Sequence, residues 1–175
     1  MADTEIEWRD KVWNPVTGCT KISPGCKNCY MFREYPRLAR MGVKGYAGGT
    51  PDQVRLLPDR LDEPLRWRKP QRIFVNSMSD LFHKDVSYGF IRGVIQSALL
   101  AVKERGHTLI FLTKRADRML DYFRAEAHSV FQDYLAHERR MQFGVSVEDQ
   151  PTADERIPKL LQCPVATRIV SYEPA

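Results

Sequence analysis

Four short apolar runs, each ending in polar residues, punctuate the chain from residue 72 onward, and the stretches between them carry apolar positions at helical spacing. RIFVNS (Arg72 to Ser77) reads as a buried strand. In YGFIRGVIQSALLAVKERG, Ile91, Val94, Ile95, Ala98, Leu99 and Val102 recur on one helix face, and Gly106 supplies the stop. HTLIFLTKR (His107 to Arg115) predicts a second strand, followed by a helical stretch with Met119, Leu120 and Phe123. MQFGVSVED (Met141 to Asp149) predicts a third, after which TADE (Thr152 to Glu155) has the capping-box form that starts a helix. TRIVSYEP (Thr167 to Pro174) is the fourth. Strands separated by helix-length segments imply parallel βα units, because a parallel neighbour needs a crossover long enough to hold a helix. The expected fold class is therefore α/β, an open sheet or partial barrel.

Each strand end is polar: Asn76, Ser77, Ser79 and Asp80; Thr113 and Lys114; Ser146 and Glu148; Ser171 and Glu173. Sites in α/β sheets and barrels lie at the carboxyl ends of strands, so these groups point to one shared pocket. The segment EIEWRDKVWNPVTGC supplies one further strand and a long loop, which sets Cys19, Cys26 and Cys29 at the same rim, ahead of a helix beginning near Tyr30. Pro24 and Gly25 suit a turn between Cys19 and Cys26, and the two-residue gap to Cys29 suits two thiolates on one metal centre.

With 175 residues, 43% of them hydrophobic, the chain can bury a core without disulfide staples. It opens without a leader pattern and never approaches the roughly 18 consecutive apolar residues of a membrane span, which predicts a soluble cytoplasmic protein. A tight cysteine cluster in a reducing compartment is metal-binding or catalytic more often than disulfide-bonded. A single structural zinc needs a fourth ligand, for which His83 and His107 are the candidates; an iron-sulfur cluster on three thiolates leaves one iron open to a small molecule. The net charge of +5 admits a polyanionic partner, although the basic residues read as scattered among acidic ones, as around Arg66, Arg68, Lys69 and Arg72 or at Arg139 and Arg140. Trp8, Trp13 and Trp67 read as packing residues and Cys163 as a small buried hydrophobe.

The segments GCTKISPGCKNCY, WRKPQRIFVNSMSDLFH, FLTKR, FGVSVEDQPTADERIP and SYEP together resemble a family of phage and bacterial proteins of unknown function, over nearly the whole chain. That family in turn resembles the radical S-adenosylmethionine (radical SAM) enzymes, including the branch with spore photoproduct lyase. The cysteine spacing here is six then two, where that superfamily usually has three then two. The resemblance implies a partial or incomplete TIM-like barrel of the radical SAM type, formed by residues 1–175 as a single domain that lacks the last βα unit. It implies a four-iron, four-sulfur cluster on Cys19, Cys26 and Cys29, S-adenosylmethionine (SAM) on the open iron, and an electron donor such as flavodoxin or ferredoxin. Ser77, Ser79 and Asp80 fall where such enzymes hold the methionine amino group, and Ser146 and Glu148 where they hold the ribose hydroxyls. Thr113 and Lys114 fall near the SAM carboxylate or substrate, and Tyr30 where an aromatic packs near SAM. Nucleic acid stays open as substrate or partner, and a homo-oligomer is expected to cover the open sheet edge. Two other classes stand beside the enzyme: a zinc-stabilised nucleic-acid-binding protein and a non-catalytic iron-sulfur scaffold.

Overall fold

The computed structural model describes residues 9–126 and 130–173; Trp8 and the Pro174 end of the last predicted strand lie outside them. Five strands, β1 (Lys11–Trp13), β4 (Arg72–Val75), β5 (Thr108–Thr113), β6 (Met141–Val147) and β7 (Thr167–Tyr172), form one sheet in the order β1-β4-β5-β6-β7, and every pair is parallel. The remaining strands, β2 (Val16–Thr17) and β3 (Arg55–Leu56), form a small antiparallel pair beside it. The excursion between β1 and β4 also holds α1 (Tyr30–Arg40) and α2 (Glu63–Arg66). The crossovers contain α3 (Tyr88–Arg105), then α4 (Ala116–Ala125) with α5 (Val130–Leu135), and finally α6 (Gln150–Gln162). The predicted α/β class with parallel βα units is thus present, and none of these helices is long and apolar enough to cross a membrane.

Strand alternation gives the sheet two unlike faces. Ile73 and Val75, Leu109 and Phe111, and Met141, Phe143, Val145 and Val147 are all 4% exposed or less and lie in the main core. Helix α3 covers them with Ile91, Val94, Ile95, Ala98 and Val102, while α4 adds Met119, Leu120 and Phe123. The Phe111 and Phe143 rings stack at 4.6 Å, and Phe123 meets Phe143 edge-on at 5.3 Å. The intervening residues, among them Phe74, Ile110, Leu112 and Ser146, face the other way and line two adjoining cavities of about 500 and 410 Å³ that share Leu112 and Ser171.

Local chemistry explains the element ends. The Ser87 hydroxyl accepts the Phe90 N–H and starts α3, and Gly106, at φ +72°, ends it by donating to the Val102 carbonyl. Helix α6 starts earlier than its sequence pattern predicted. Asp149 is the N-cap, its carboxylate accepts the Thr152 N–H at 2.9 Å, and the Thr152 hydroxyl takes the Asp149 N–H in return. Thr152 is therefore the third residue of the helix: Asp149, three residues before it, accepts the Thr152 N–H, so Thr152 completes the capping box instead of starting one. Trp13 is fully buried in the main core, Trp67 packs against its edge, and Cys163 is fully buried there.

Candidate functional site

The cysteines owe their position to a backbone contact that only glycine permits. Gly18, at φ +81°, donates to the Met78 carbonyl, and a Cβ on it would sit 1.9 Å from the Gln53 carbonyl oxygen. This bridge pins Cys19 to the segment following β4, and the Cys19 N–H is tied to Pro51 O at 2.9 Å. Cys26 closes the short turn Pro24–Cys26, and Cys29 is the residue immediately before α1. All three are partly exposed, and all three line the larger cavity. Met31 and Tyr35 anchor α1 from below, in a second small core with Tyr46 and Met78.

The opposite wall consists of the carboxyl ends of β4 to β7, as the strand-end pattern predicted. Asp80 is 6% exposed and heavily engaged: Thr113 Oγ1 donates at 2.7 Å, Phe82 N at 2.9 Å and Arg115 Nη1 at 2.9 Å. It turns the local backbone rather than capping α3, which Ser87 does. Arg115 also reaches Cys19 Sγ at 3.5 Å and the Thr20 carbonyl at 2.8 Å. Burial, then the charge on Asp80, pushes the Cys19 thiol up to about 11, with Arg115 pulling the other way. Cys26 goes in the other direction: burial opposes ionisation, but hydrogen bonds at Ile22 and Ser23 and the charge of Lys114 outweigh it and lower the thiol below its ordinary value.

A second polar group sits across the cavity. The Glu173 carboxylate accepts from Lys114 Nζ at 2.7 Å, Ser146 Oγ at 2.9 Å and Ser171 Oγ at 3.1 Å. Burial alone would raise its pKa, but the Lys114 charge and these donors hold it below the ordinary carboxylate value. The Tyr30 hydroxyl donates to the Ser77 carbonyl, Ser77 Oγ to Asn14 Oδ1 and Ser79 Oγ to the Val16 carbonyl. Tyr30, Ser77, Ser79, Asp80, Thr113, Lys114 and Ser146 thus share one cavity with the three cysteines. Glu148 lies behind this lining, with its carboxylate 3.9 Å from Lys114 Nζ. Its carboxylate lies beneath the cysteine turn, where it accepts from Arg156 Nη1 at 2.8 Å and from the Ser23 hydroxyl, and Gly25 passes directly over its side chain.

Three residues of the site carry no specific role from the sequence, although Asn76 and Glu173 stand among the strand-end groups expected at the pocket. Arg115 lies one position beyond Lys114, so the strand-end pattern needed only to be read one residue further. Glu173 was visible as a strand end but became a hub only when β7 was set beside β6. Asn76 has φ +61°, the only non-glycine residue with positive φ among the described residues, and its buried Nδ2 has no hydrogen-bond partner while the residue lines the cavity.

The two histidines considered as fourth zinc ligands are engaged otherwise. His83 Nδ1 accepts the Asp85 N–H, which leaves Nε2–H facing Thr20 Oγ1 at 2.8 Å, and His107 bridges Gln71 N and the Pro64 carbonyl. Among the described residues no three His, Cys, Asp or Glu are grouped to hold one metal ion.

Residues 3–175 match the model of a family described as "Protein of unknown function (DUF5131)". No curated protein and no solved structure matches the chain.

Proposed function

Since the chain belongs to the DUF5131 family, whose description assigns no activity, we propose from the site itself that it is an iron-sulfur enzyme of the radical SAM type. Its main support is the convergence of three cysteines, with no fourth beside them, on one cavity at the carboxyl ends of parallel strands. At about 500 Å³ this cavity has the size of a small-molecule site. We read the five-stranded sheet as part of a TIM-like barrel, with the cavity-bearing face as its interior.

Cys19, Cys26 and Cys29 would hold the four-iron, four-sulfur cluster. Bound together, cluster and SAM would supply reductive cleavage of the sulfonium and, through it, hydrogen abstraction from a substrate. The protein's own part is to bind, orient and shield. Lys114, paired in this structure with Glu173, would turn to the methionine carboxylate, and Asp80, near Ser77 and Ser79 at the cavity wall, would take the ammonium while sharing its charge with Arg115. At the ribose hydroxyls, Ser146 would stand as expected, with Glu173 beside it in the place expected for Glu148. Arg115 keeps a positive charge against Cys19, which favours the thiolate that a metal centre requires.

Anaerobic reconstitution with iron and sulfide, followed by metal and labile-sulfide analysis, tests the cluster. Each of Cys19→Ala, Cys26→Ala and Cys29→Ala should lose it, and Cys163→Ala should keep it. Stoichiometric zinc without sulfide would replace the enzyme by a zinc-stabilised binding protein. Incubation of the loaded protein with SAM and dithionite should then release 5′-deoxyadenosine, with Cys26→Ala as control. A fully loaded, reduced cluster that releases none, with or without added DNA or RNA, would leave a non-catalytic iron-sulfur scaffold.

A further inference from the structure

The chain's positive charge is not scattered. Residues 18–47 carry six basic residues, Lys21, Lys27, Arg33, Arg37, Arg40 and Lys44, against one acid, Glu34, a net of +5 that equals the formal charge of the entire chain. The other 21 Lys and Arg are matched by 21 Asp and Glu. This basic segment is the segment that holds the three cysteines, and all six of its basic residues are exposed.

Helix α1 arranges part of this charge in a line. At 100° per residue, Tyr30, Arg33, Arg37 and Arg40 fall within an arc of about 80°, and the line is about 15 Å long. The opposite side of the helix is occupied by the buried Met31 and Tyr35, so the basic side is held outward. Its first member, Tyr30, lines the cavity, and its last is followed by Met41, which is 64% exposed. Closer to the cavity mouth, the Lys21 ammonium lies 4.9 Å from the ring centre of Phe32, another cavity residue. Glu34 binds Arg37 at 2.9 Å from the flank of the line and leaves it basic overall.

We infer that this stripe is a docking surface for a nucleic-acid strand, which it leads from the outer end of α1 to the cavity; the inference rests on the cavity being the reaction site proposed above. Successive guanidinium forks on a narrow track suit a chain of phosphates, and a tyrosine where the track meets the cavity offers a stacking face to a base. A membrane surface fits less well, because the apolar side of α1 that would have to enter the lipid is already buried.

The test is fluorescence anisotropy with a labelled single-stranded DNA oligonucleotide, titrated over a series of salt concentrations with reconstituted protein. Arg33→Ala/Arg37→Ala/Arg40→Ala should weaken binding by about tenfold or more and reduce the slope of log affinity against log salt by about 2. Removing the same charge elsewhere, by Arg68→Ala/Lys69→Ala/Lys103→Ala, should change affinity by no more than about twofold. Equal losses in the two triple variants, no salt-dependent binding by the unsubstituted protein, or tighter binding to anionic phospholipid vesicles or polyglutamate than to the oligonucleotide would each overturn the inference. Iron content and SAM binding, measured on the same samples, separate the two claims. A stripe variant that loses DNA but keeps cluster and SAM supports the surface, whereas zinc in place of the cluster with DNA binding intact refutes only the chemistry.

Discussion

The two faces of the parallel sheet share the same strands but not the same kind of side chain. Toward α3, α4 and α6 the strands present closely packed apolar groups; toward the cavities they present Phe74 and Leu112, then serines, acids and a left-handed asparagine at the strand ends. The first face is closed by helices; the second is open, and it leaves polar capacity unused beside the cavity at Asn76 Nδ2. A parallel sheet thus separates stability from chemistry by side-chain parity, with strand ends as the place where the two meet.

The separation can be strained most at its centre. Phe143→Ala should cost about 3–5 kcal/mol of unfolding free energy in a denaturant titration, since it removes a buried ring from between Phe111 and Phe123. An effect of that size from a substitution near the cysteines would break the comparison, and Glu148 is where we expect one. Glu148→Ala leaves the Arg156 guanidinium buried without its carboxylate and should destabilise by about 3 kcal/mol, despite its position below the cysteine turn. Conversely, Asn76→Gly keeps the left-handed backbone and should change stability by less than about 1 kcal/mol, yet reduce SAM affinity by calorimetry about fivefold through loss of an amide donor. The smallest effect concerns Cys163. Burial raises its thiol from 9.0 to about 11, so the stability gained by keeping it neutral is complete below pH 9 and declines as pH rises toward 11. Thermal melts across that interval should fall less steeply for Cys163→Ala than for the unsubstituted protein.

The helix-covered face was legible in the sequence because its signals are local: apolar runs of strand length, helical periodicity, Ser87 and Gly106 at the ends of α3. The rim was legible as a set of strand ends, but not in its internal allegiances. Asp80 and Glu148 look alike in sequence, each an acid just past a strand. One faces the cavity and the other is claimed by Arg156, two turns along α6, a pairing fixed only when that helix folds back. The placement of the cysteines depends on a positive φ at Gly18 and on its bridge to the Met78–Ser79 backbone, neither of which has a side-chain signature. The charge of α1 was present in the sequence throughout; averaging over the chain concealed it, because Arg33, Arg37 and Arg40 become neighbours only on a helix.

The passage of Gly25 over Glu148 has a consequence for how this sequence can vary. A methyl group at position 25 would lie 2.3 Å from Glu148 Cγ, and that side chain is fixed at its far end by Arg156. The mutational alphabet at position 25 is therefore one letter long for as long as positions 148 and 156 keep theirs. In a randomised library screened for folded protein, these three sites should be recovered as one joint spelling, and a variant with a larger residue at 25 should appear only where 148 has changed as well.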